Sequence, residues 1–534
     1  MIIKTQSARR MLLVLGGLTL TLSVFSAIFF KRELRGYAKE ATSPALEQPG
    51  RSNTIPQPGA PEDKLLQNGI ESVIASSDMP SARWGAFVVS LRDGRVVYAR
   101  EADKGFVPAS NMKLYTTAVA LDLLGADYRW GTSVYAGSRP DANGTINGNL
   151  MLYGRGAPDL VLNANDGDAS LEKLADELYR NGLRRVRGNV IGDDSYFFGD
   201  PLGDGWLWND TQWYYGAEIS ALSIGGNEIS LTIEPGRKVN DPARVKLEPA
   251  SDLVEVNNEA LTVGSEGVTT IGITRSLVSN GFQVWGEFPL KKPGFKARLA
   301  VHKPALWAAN LFLGKLRARG IAVDGNASMT DVPGRRGRFD PEREVELAFL
   351  TSRSLGEVSR VINKESLNLD SELVLRTLGK EKGATVPDPD PRKMSIRGDD
   401  KAGVVVIRQW LQDKGIATQG LALHDGSGLS RLDLVTPEST ARLLEVMSKL
   451  STAGIFRDSL PIAGRDGTLR NRLRPATSRV FAKTGTLTYT NSLSGYVATR
   501  NGEVLAFSII CNNDTSLSTS TNILDEIVLL LANL

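Results

Sequence analysis

Histidine and cysteine are nearly missing from this chain. Among 534 residues the sole cysteine is Cys511, and the histidines are His302 and His424. One cysteine excludes an intrachain disulfide framework and Cys-rich zinc or iron–sulfur centres. Two histidines leave no multi-imidazole metal site, and the H-E-x-x-H pattern is absent. An excess of one charge is missing too: 63 Lys+Arg stand against 60 Asp+Glu, a formal net charge of +3, which gives no electrostatic footprint for nucleic acid. With 41% hydrophobic, 23% charged and 7% aromatic residues, the composition is that of an ordinary globular chain and excludes dominant disorder, a collagen-like repeat and a multi-spanning membrane protein. Whatever chemistry such a chain performs is expected to run without histidine.

There is one long apolar run. Lys4, Arg9 and Arg10 precede Met11–Phe30, and Lys31, Arg32, Arg35 and Lys39 follow. A run of about 20 residues suffices to cross a hydrocarbon core. Residues 1–35 therefore read as a signal anchor or a signal peptide. The anchor is favoured by length and by the absence of a clear small-x-small cleavage site; cations on both flanks leave the orientation open. Residues 36–62 carry Pro44, Pro49, Pro56, Pro58 and Pro61 and read as an extended linker.

Beyond the linker, Leu65–Ser76 has helical spacing. Gly85–Leu91 and Arg95–Ala99 form a hairpin signal around Arg92-Asp93-Gly94. Arg479–Ala482 reads as a strand, Ser492–Ala498 and Val504–Cys511 as a second hairpin around Asn501-Gly502, and Thr521–Leu534 as a terminal helix. Helices are expected at Ser354–Asn363, Leu369–Leu378, Lys401–Gly415 and Pro437–Ser448, the last opened by a Thr-Pro cap. Between them lie Gly-punctuated short segments, with strands at Leu231–Glu234, Leu261–Val263 and Val268–Thr274. The reading is an α+β domain in two segments, 63–130 and 345–534, its antiparallel sheet covered by helices, with a mostly β stretch inserted over 131–344.

Three short elements could carry chemistry. Ser110 and Lys113 stand one helical turn apart, so the amine can reach the hydroxyl. A lysine whose pKa is lowered by burial or by a neighbouring cation can replace histidine as the base. Ser366-Leu367-Asn368 lies between two predicted helices and could point a hydroxyl and an amide into one cleft. Lys483-Thr484-Gly485-Thr486 continues the predicted strand, with a fixed cation and a glycine that admits close backbone approach. Singly, each has an ordinary alternative: an N-cap with a solvated lysine, a helix cap, and a strand bulge. In this order and context the three resemble the signature set of penicillin-binding proteins and serine β-lactamases.

The match extends further. Pro108–Leu114, Gly203–Leu222, Asn363–Leu378, Asp425–Ser430, Ala463–Leu469 and Lys483–Thr486, with 256 residues (366 − 110) between Ser110 and Ser366, resemble the class C low-molecular-weight penicillin-binding proteins, the D-alanyl-D-alanine carboxypeptidase/endopeptidase family. The resemblance covers residue 65 to the end and implies a penicillin-binding-protein/β-lactamase-like transpeptidase domain, with a five-stranded antiparallel sheet flanked by helices and split by β-rich insertions. Leu367 stands where the family often has Asp. The resemblance implies Ser110 as nucleophile, Lys113 as base held neutral partly by Lys483, Ser366 as proton relay, and Asn368 as a contact of Lys113 and substrate. Lys483, Thr484 and Thr486 would grip the substrate carboxylate beside Gly485, and Asp210 and Trp208 would meet the stem side chain. It also implies peptidoglycan stem peptides and β-lactam antibiotics as partners, no cofactor or metal, and a place in the periplasm or extracytoplasmic envelope, with residues 11–30 as an inner-membrane anchor. Oligomeric state stays open. A catalytically silent wall-binding scaffold and a serine β-lactamase are the alternative readings.

Overall fold

In the computed structural model of the chain, the described residues are 61–77, 79–162, 169–330, 339–383, 398–516 and 519–534. The apolar run 11–30 and the linker up to residue 60 lie outside them. Strands β1 (Arg83–Ser90) and β2 (Val96–Arg100) form the first hairpin. Strands β3 (Val480–Leu487), β4 (Thr490–Ala498) and β5 (Val504–Asn512) come from the far end of the chain. They join in the order β3-β4-β5-β1-β2, antiparallel throughout, with β1 registered on β5 from Arg83↔Asn512 to Ser90↔Leu505.

Both faces of this sheet are buried, which explains why β1 is a nearly unbroken apolar run rather than an alternating one. Successive side chains point to opposite faces. Ala86 and Val88 pack with Leu66, Ile70, Ile523 and Ile527 of helices α1 (Pro61–Ala75) and α8 (Thr519–Ala532), while Phe87 and Val89 join the larger core with Phe106, Leu114 and Val435. On that second side lie α2 (Met112–Leu123), α3 (Leu355–Glu365), α4 (Asn368–Lys382), α5 (Asp399–Asp413), α6 (Pro437–Met447) and α7 (Ala453–Ser459). The two predicted hairpins, the terminal helix and the four inner helices are all found, with ends moved by at most four residues. The capping box Thr436–Ser439 and Pro437 start α6 as the sequence implies.

The inserted stretch differs from its mostly β reading in two places. It holds amphipathic helices at Ser170–Arg180 and Pro304–Ala318, the first burying Leu171, Leu174, Ala175 and Leu178 at helical spacing. Val268–Ile271 is not strand; the strand there is Gly272–Arg275. Val345–Thr351 pairs with Gly131–Ala136 in a five-stranded mixed sheet, so the sheet of the inserted stretch includes residues on both of its borders.

Phe507 on β5 is fully buried between the sheet and its outer helices, whereas Val278 is 81% exposed. Phe507→Ala is expected to cost about 3–5 kcal/mol and Val278→Ser less than about 0.5 kcal/mol. Denaturant midpoints of the two variants check this difference.

Candidate active site

The chain enters the site through a strained turn. Ala109 has φ +48°, and Ala109–Asn111 forms a 3-10 turn ahead of α2. Ser110 therefore precedes the helix proper and makes no capping hydrogen bond. Its partner is Lys113, whose Nζ lies within hydrogen-bond distance of Ser110 Oγ at 3.0 Å and donates to Asn368 Oδ1 at 2.6 Å and to the Ser427 carbonyl at 2.7 Å. Asn368 Nδ2 in turn donates to the Tyr215 carbonyl at 2.8 Å.

Ser366 ends α3 in the left-handed region, φ +60°, with no capping hydrogen bond of its own. That turn sends its hydroxyl to edge strand β3, where Lys483 Nζ donates to Ser366 Oγ at 2.9 Å and to the Thr484 carbonyl at 2.8 Å. The three motifs, separated by hundreds of residues, thus meet in one cleft. Its volume is about 970 Å³, and Ser110, Asp210, Tyr215, Ser366, Asn368, Arg431, Thr468 and Thr486 are among its lining residues. Gly485 passes so near the first motif that a Cβ would lie 2.7 Å from the Pro108 carbonyl oxygen and 3.0 Å from Ser110 N.

Lys113 and Lys483 are fully buried. An ammonium removed from water is expensive, so burial favours the neutral amine. Lys113 is lowered to about 8, burial being the principal cause, while the carboxylates of Asp425, Glu372 and Asp370 act in the opposite sense. Lys483 is pushed well below an ordinary lysine by burial first and by Lys113 second. Of the two causes named from the sequence, burial is the larger for Lys113, and the repulsion between the two amines lowers Lys483.

The remaining candidates separate. Thr484 Oγ1 donates to Thr468 Oγ1 at 2.8 Å, and Thr486 Oγ1 to Asn491 Oδ1 at 3.1 Å. Asp210 lines the cleft and accepts a long hydrogen bond, 3.5 Å, from Tyr215 Oη; burial raises its pKa. Trp208 is 71% exposed and is not a lining residue. Trp206, two positions earlier, donates its Nε1 to Asp425 Oδ2 at 2.9 Å. Sequence reasoning assigned no role to Asp425, Ser427, Glu372, Tyr215, Thr468 or Arg431. The Asp-Gly-Ser-Gly run at 425–428 was the available signal, since an acidic residue before two glycines marks a carboxylate wrapped by its own backbone.

An antiparallel sheet, flanking helices and a buried Ser/Lys cleft define a low-molecular-weight penicillin-binding protein of class C. The family model "D-Ala-D-Ala carboxypeptidase 3 (S13) family" matches residues 66–534, and the chain belongs to that family. A D-alanyl-D-alanine carboxypeptidase of Actinomadura sp. (strain R39) is 35% identical over 462 residues, covering 84% of this chain and 81% of that protein. The D-alanyl-D-alanine carboxypeptidase DacB of Haemophilus influenzae is 26% identical over 434 residues, 79% of this chain and 84% of that one. The crystal structure of penicillin binding protein 4 from Haemophilus influenzae superposes with a TM-score of 0.73 at 22% identity, over 87% of this chain and 99% of that chain. Like these relatives by sequence, the protein is a serine-type carboxypeptidase, a hydrolase.

Because Lys113 titrates at about 8 in the folded chain and near 10.5 when exposed, the unfolded state holds the extra proton between those values. The cost of burying this charge is therefore fully present below about pH 8 and is lifted as pH rises to about 10.5, so folding stability increases across that window. Unfolding free energies of the parent and Lys113→Met, compared at pH 7 and pH 10, should show the parent gaining relative to the variant.

Proposed function

We propose that the protein cleaves the D-alanyl-D-alanine bond of peptidoglycan stem peptides, as a carboxypeptidase/endopeptidase, through an ester on Ser110, and that β-lactams acylate the same hydroxyl. The observation that carries this is the convergence of Lys113 on Ser110 and Asn368, and of Lys483 on Ser366, within one cleft.

Neutral Lys113 removes the Ser110 proton as Oγ attacks the peptide carbonyl. The developing oxyanion is met by backbone N–H groups of Ser110 and Thr486, each worth about 3–4 kcal/mol in the transition state. Collapse breaks the C–N bond; the departing amine receives a proton through the Ser366 hydroxyl, which Lys483 holds in place. Water, deprotonated by the same base, then attacks the ester and frees Ser110. Thr484 and Thr486, with Lys483 beneath them, take the substrate's terminal carboxylate. Asp210 faces the stem side chain inside the cleft, and Trp208 touches substrate only outside it.

The body works outside the cytoplasm, where its substrate is. The apolar run 11–30 supports a membrane anchor followed by a linker that ends where α1 begins at Pro61, and the pairing of Val345–Thr351 with Gly131–Ala136 supports starting the second segment of the transpeptidase domain at 352 rather than 345. Deleting residues 1–35 should move the protein from membrane to soluble fractions; soluble full-length protein with an intact N-terminus contradicts the anchor.

Mass spectrometry after exposure to penicillin is expected to find one adduct, on Ser110. Ser110→Ala should remain unlabelled, and label in that variant removes the assignment. Since the base must be neutral, the acylation rate should climb with pH and level off above a midpoint of about 8, the value burial gives Lys113. Rapid turnover of the adduct would instead indicate a β-lactamase.

A further inference from the structure

Three oxygens surround the Lys113 nitrogen: Ser110 Oγ at 3.0 Å, Asn368 Oδ1 at 2.6 Å and the Ser427 carbonyl at 2.7 Å. A neutral primary amine has two N–H groups and one lone pair. The Asn368 and Ser427 oxygens can only accept, so they take both N–H groups and leave the lone pair to the Ser110 hydroxyl, which alone of the three can donate. The aim of the base thus depends on what holds those two acceptors.

The Asn368 amide is oriented by the Tyr215 carbonyl at 2.8 Å. The Ser427 carbonyl belongs to a loop, residues 426–430, folded around the buried carboxylate of Asp425. Asp425 accepts from the backbone N–H groups of Ser427 at 3.1 Å, Gly428 at 2.6 Å and Ser430 at 2.8 Å, from Ser427 Oγ at 3.2 Å, and from Trp206 Nε1 at 2.9 Å. Glu372 on α4 accepts from Gly426 N at 3.0 Å and Ser427 N at 2.8 Å. Gly428, at φ +78°, lets the loop press on the nucleophile's own turn: a Cβ there would stand 1.9 Å from the Ala109 carbonyl oxygen. Four of these five donors come from the loop itself and the fifth, Trp206, from the inserted segment.

We propose that Asp425 is a positioning residue for acyl transfer: anchored to Trp206 of the inserted segment, it holds the Ser427 carbonyl as the second acceptor on Lys113 and so keeps the amine lone pair on Ser110. This rests on Ser110 and Lys113 being nucleophile and base. The charged groups facing Lys113 are Asp370 and Glu372 on α4, Asp425 on the loop and Lys483 on β3. Among the carboxylates Asp425 has the largest influence in favour of protonated Lys113, so its neutralisation moves the base further down.

The test is the rate constant of acylation by a chromogenic cephalosporin as a function of pH, for the full chain, Asp425→Asn and Trp206→Phe, with circular dichroism and thermal melting alongside. For Asp425→Asn the plateau rate is expected to fall by about tenfold or more, with the affinity of the pre-acylation complex unchanged and the midpoint below that of the parent. For Trp206→Phe, which removes only the indole donor, a smaller fall of about threefold is expected. A parental plateau rate in folded Asp425→Asn overturns the proposal. A midpoint that rises toward that of an exposed lysine marks a site simply opened to water and overturns it too. Should Asp425→Asn fail to fold, Trp206→Phe decides, a parental rate again being the contrary result. A parent that is not acylated at Ser110 overturns both this inference and the assignment of the nucleophile; an acylated parent with unchanged variants overturns this inference alone.

Discussion

Two lysine amines removed from water govern the architecture of the cleft. Transferring an ammonium into the interior costs several kcal/mol even after relaxation, and the chain meets that cost in different ways for the two. Lys113 has only oxygens as its hydrogen-bond partners and Asp425, Glu372 and Asp370 in its electrostatic surroundings; burial outweighs these acidic groups, which limit the fall, and the group titrates at about 8. Lys483 has Ser366 Oγ, one carbonyl and a second lysine, with no carboxylate to offset burial, and it is driven far lower. The first arrangement leaves an amine that releases its proton near neutral pH, which is what the proposed base requires. The second keeps an N–H donor on the Ser366 hydroxyl, the proposed relay, without a full charge beside Lys113.

Such an arrangement needs a backbone that will not relax. Ala109 beside the nucleophile and Ser366 itself both occupy the left-handed region, at about 1–3 kcal/mol each for residues other than glycine. Each is held by buried or partly buried contacts. Ser492 Oγ donates to the Pro108 carbonyl at 2.7 Å, Gly428 abuts Ala109, and the Lys364 ammonium, two residues before Ser366, binds both oxygens of Asp466 and the Leu460 carbonyl. The strain sits where two segments must aim hydroxyls, and the sheet and its helices supply the rigidity that maintains it.

Much of this was legible from residue patterns because the hairpins, the terminal helix and the start of α6 obey local rules: Asp93-Gly94 and Asn501-Gly502 as turns, Thr436-Pro437 as a helix start, and apolar residues at helical spacing in 521–534. The three motifs were legible as residue types at fixed spacing. What escaped were features that arise only in three dimensions. Ser110 looked like a helix cap because its partner, Lys113, is equally compatible with a solvated surface position until the helix is buried on every side. The sequence named burial and a neighbouring cation as causes of a lowered Lys113 but could not rank them, since charge is visible in a sequence and the extent of burial is not. The helices at Ser170–Arg180 and Pro304–Ala318 were submerged among Gly-rich turn signals, although Leu171, Leu174 and Leu178 carried a clear helical period. Carbonyl oxygens have no letter in a sequence. The Ser427 and Tyr215 carbonyls could therefore not be read from it, yet they complete the polar surroundings of Lys113 and Asn368.

The same two carbonyls explain why a long segment between the first and second motifs belongs to the enzyme rather than hanging from it. Residues 203–216 touch the transpeptidase domain through the Tyr215 carbonyl on Asn368, Trp206 on Asp425, and the Asp204 carbonyl on Ser430 Oγ at 2.7 Å. Asp204 also pairs with Lys401, and its pKa is lowered to about 2 by Lys401 and His424 despite partial burial. These contacts bind both holders of the base, the second motif and the 425–430 loop, to one inserted strip of chain. An insertion free to move would release the Asn368 amide to flip and the Ser427 carbonyl to turn away, and the Lys113 amine would then have no fixed direction for its lone pair. The inserted segment is thus a wall of the cleft, and through Tyr215 and Trp206 it fixes the groups around Lys113 on which the proposed chemistry rests.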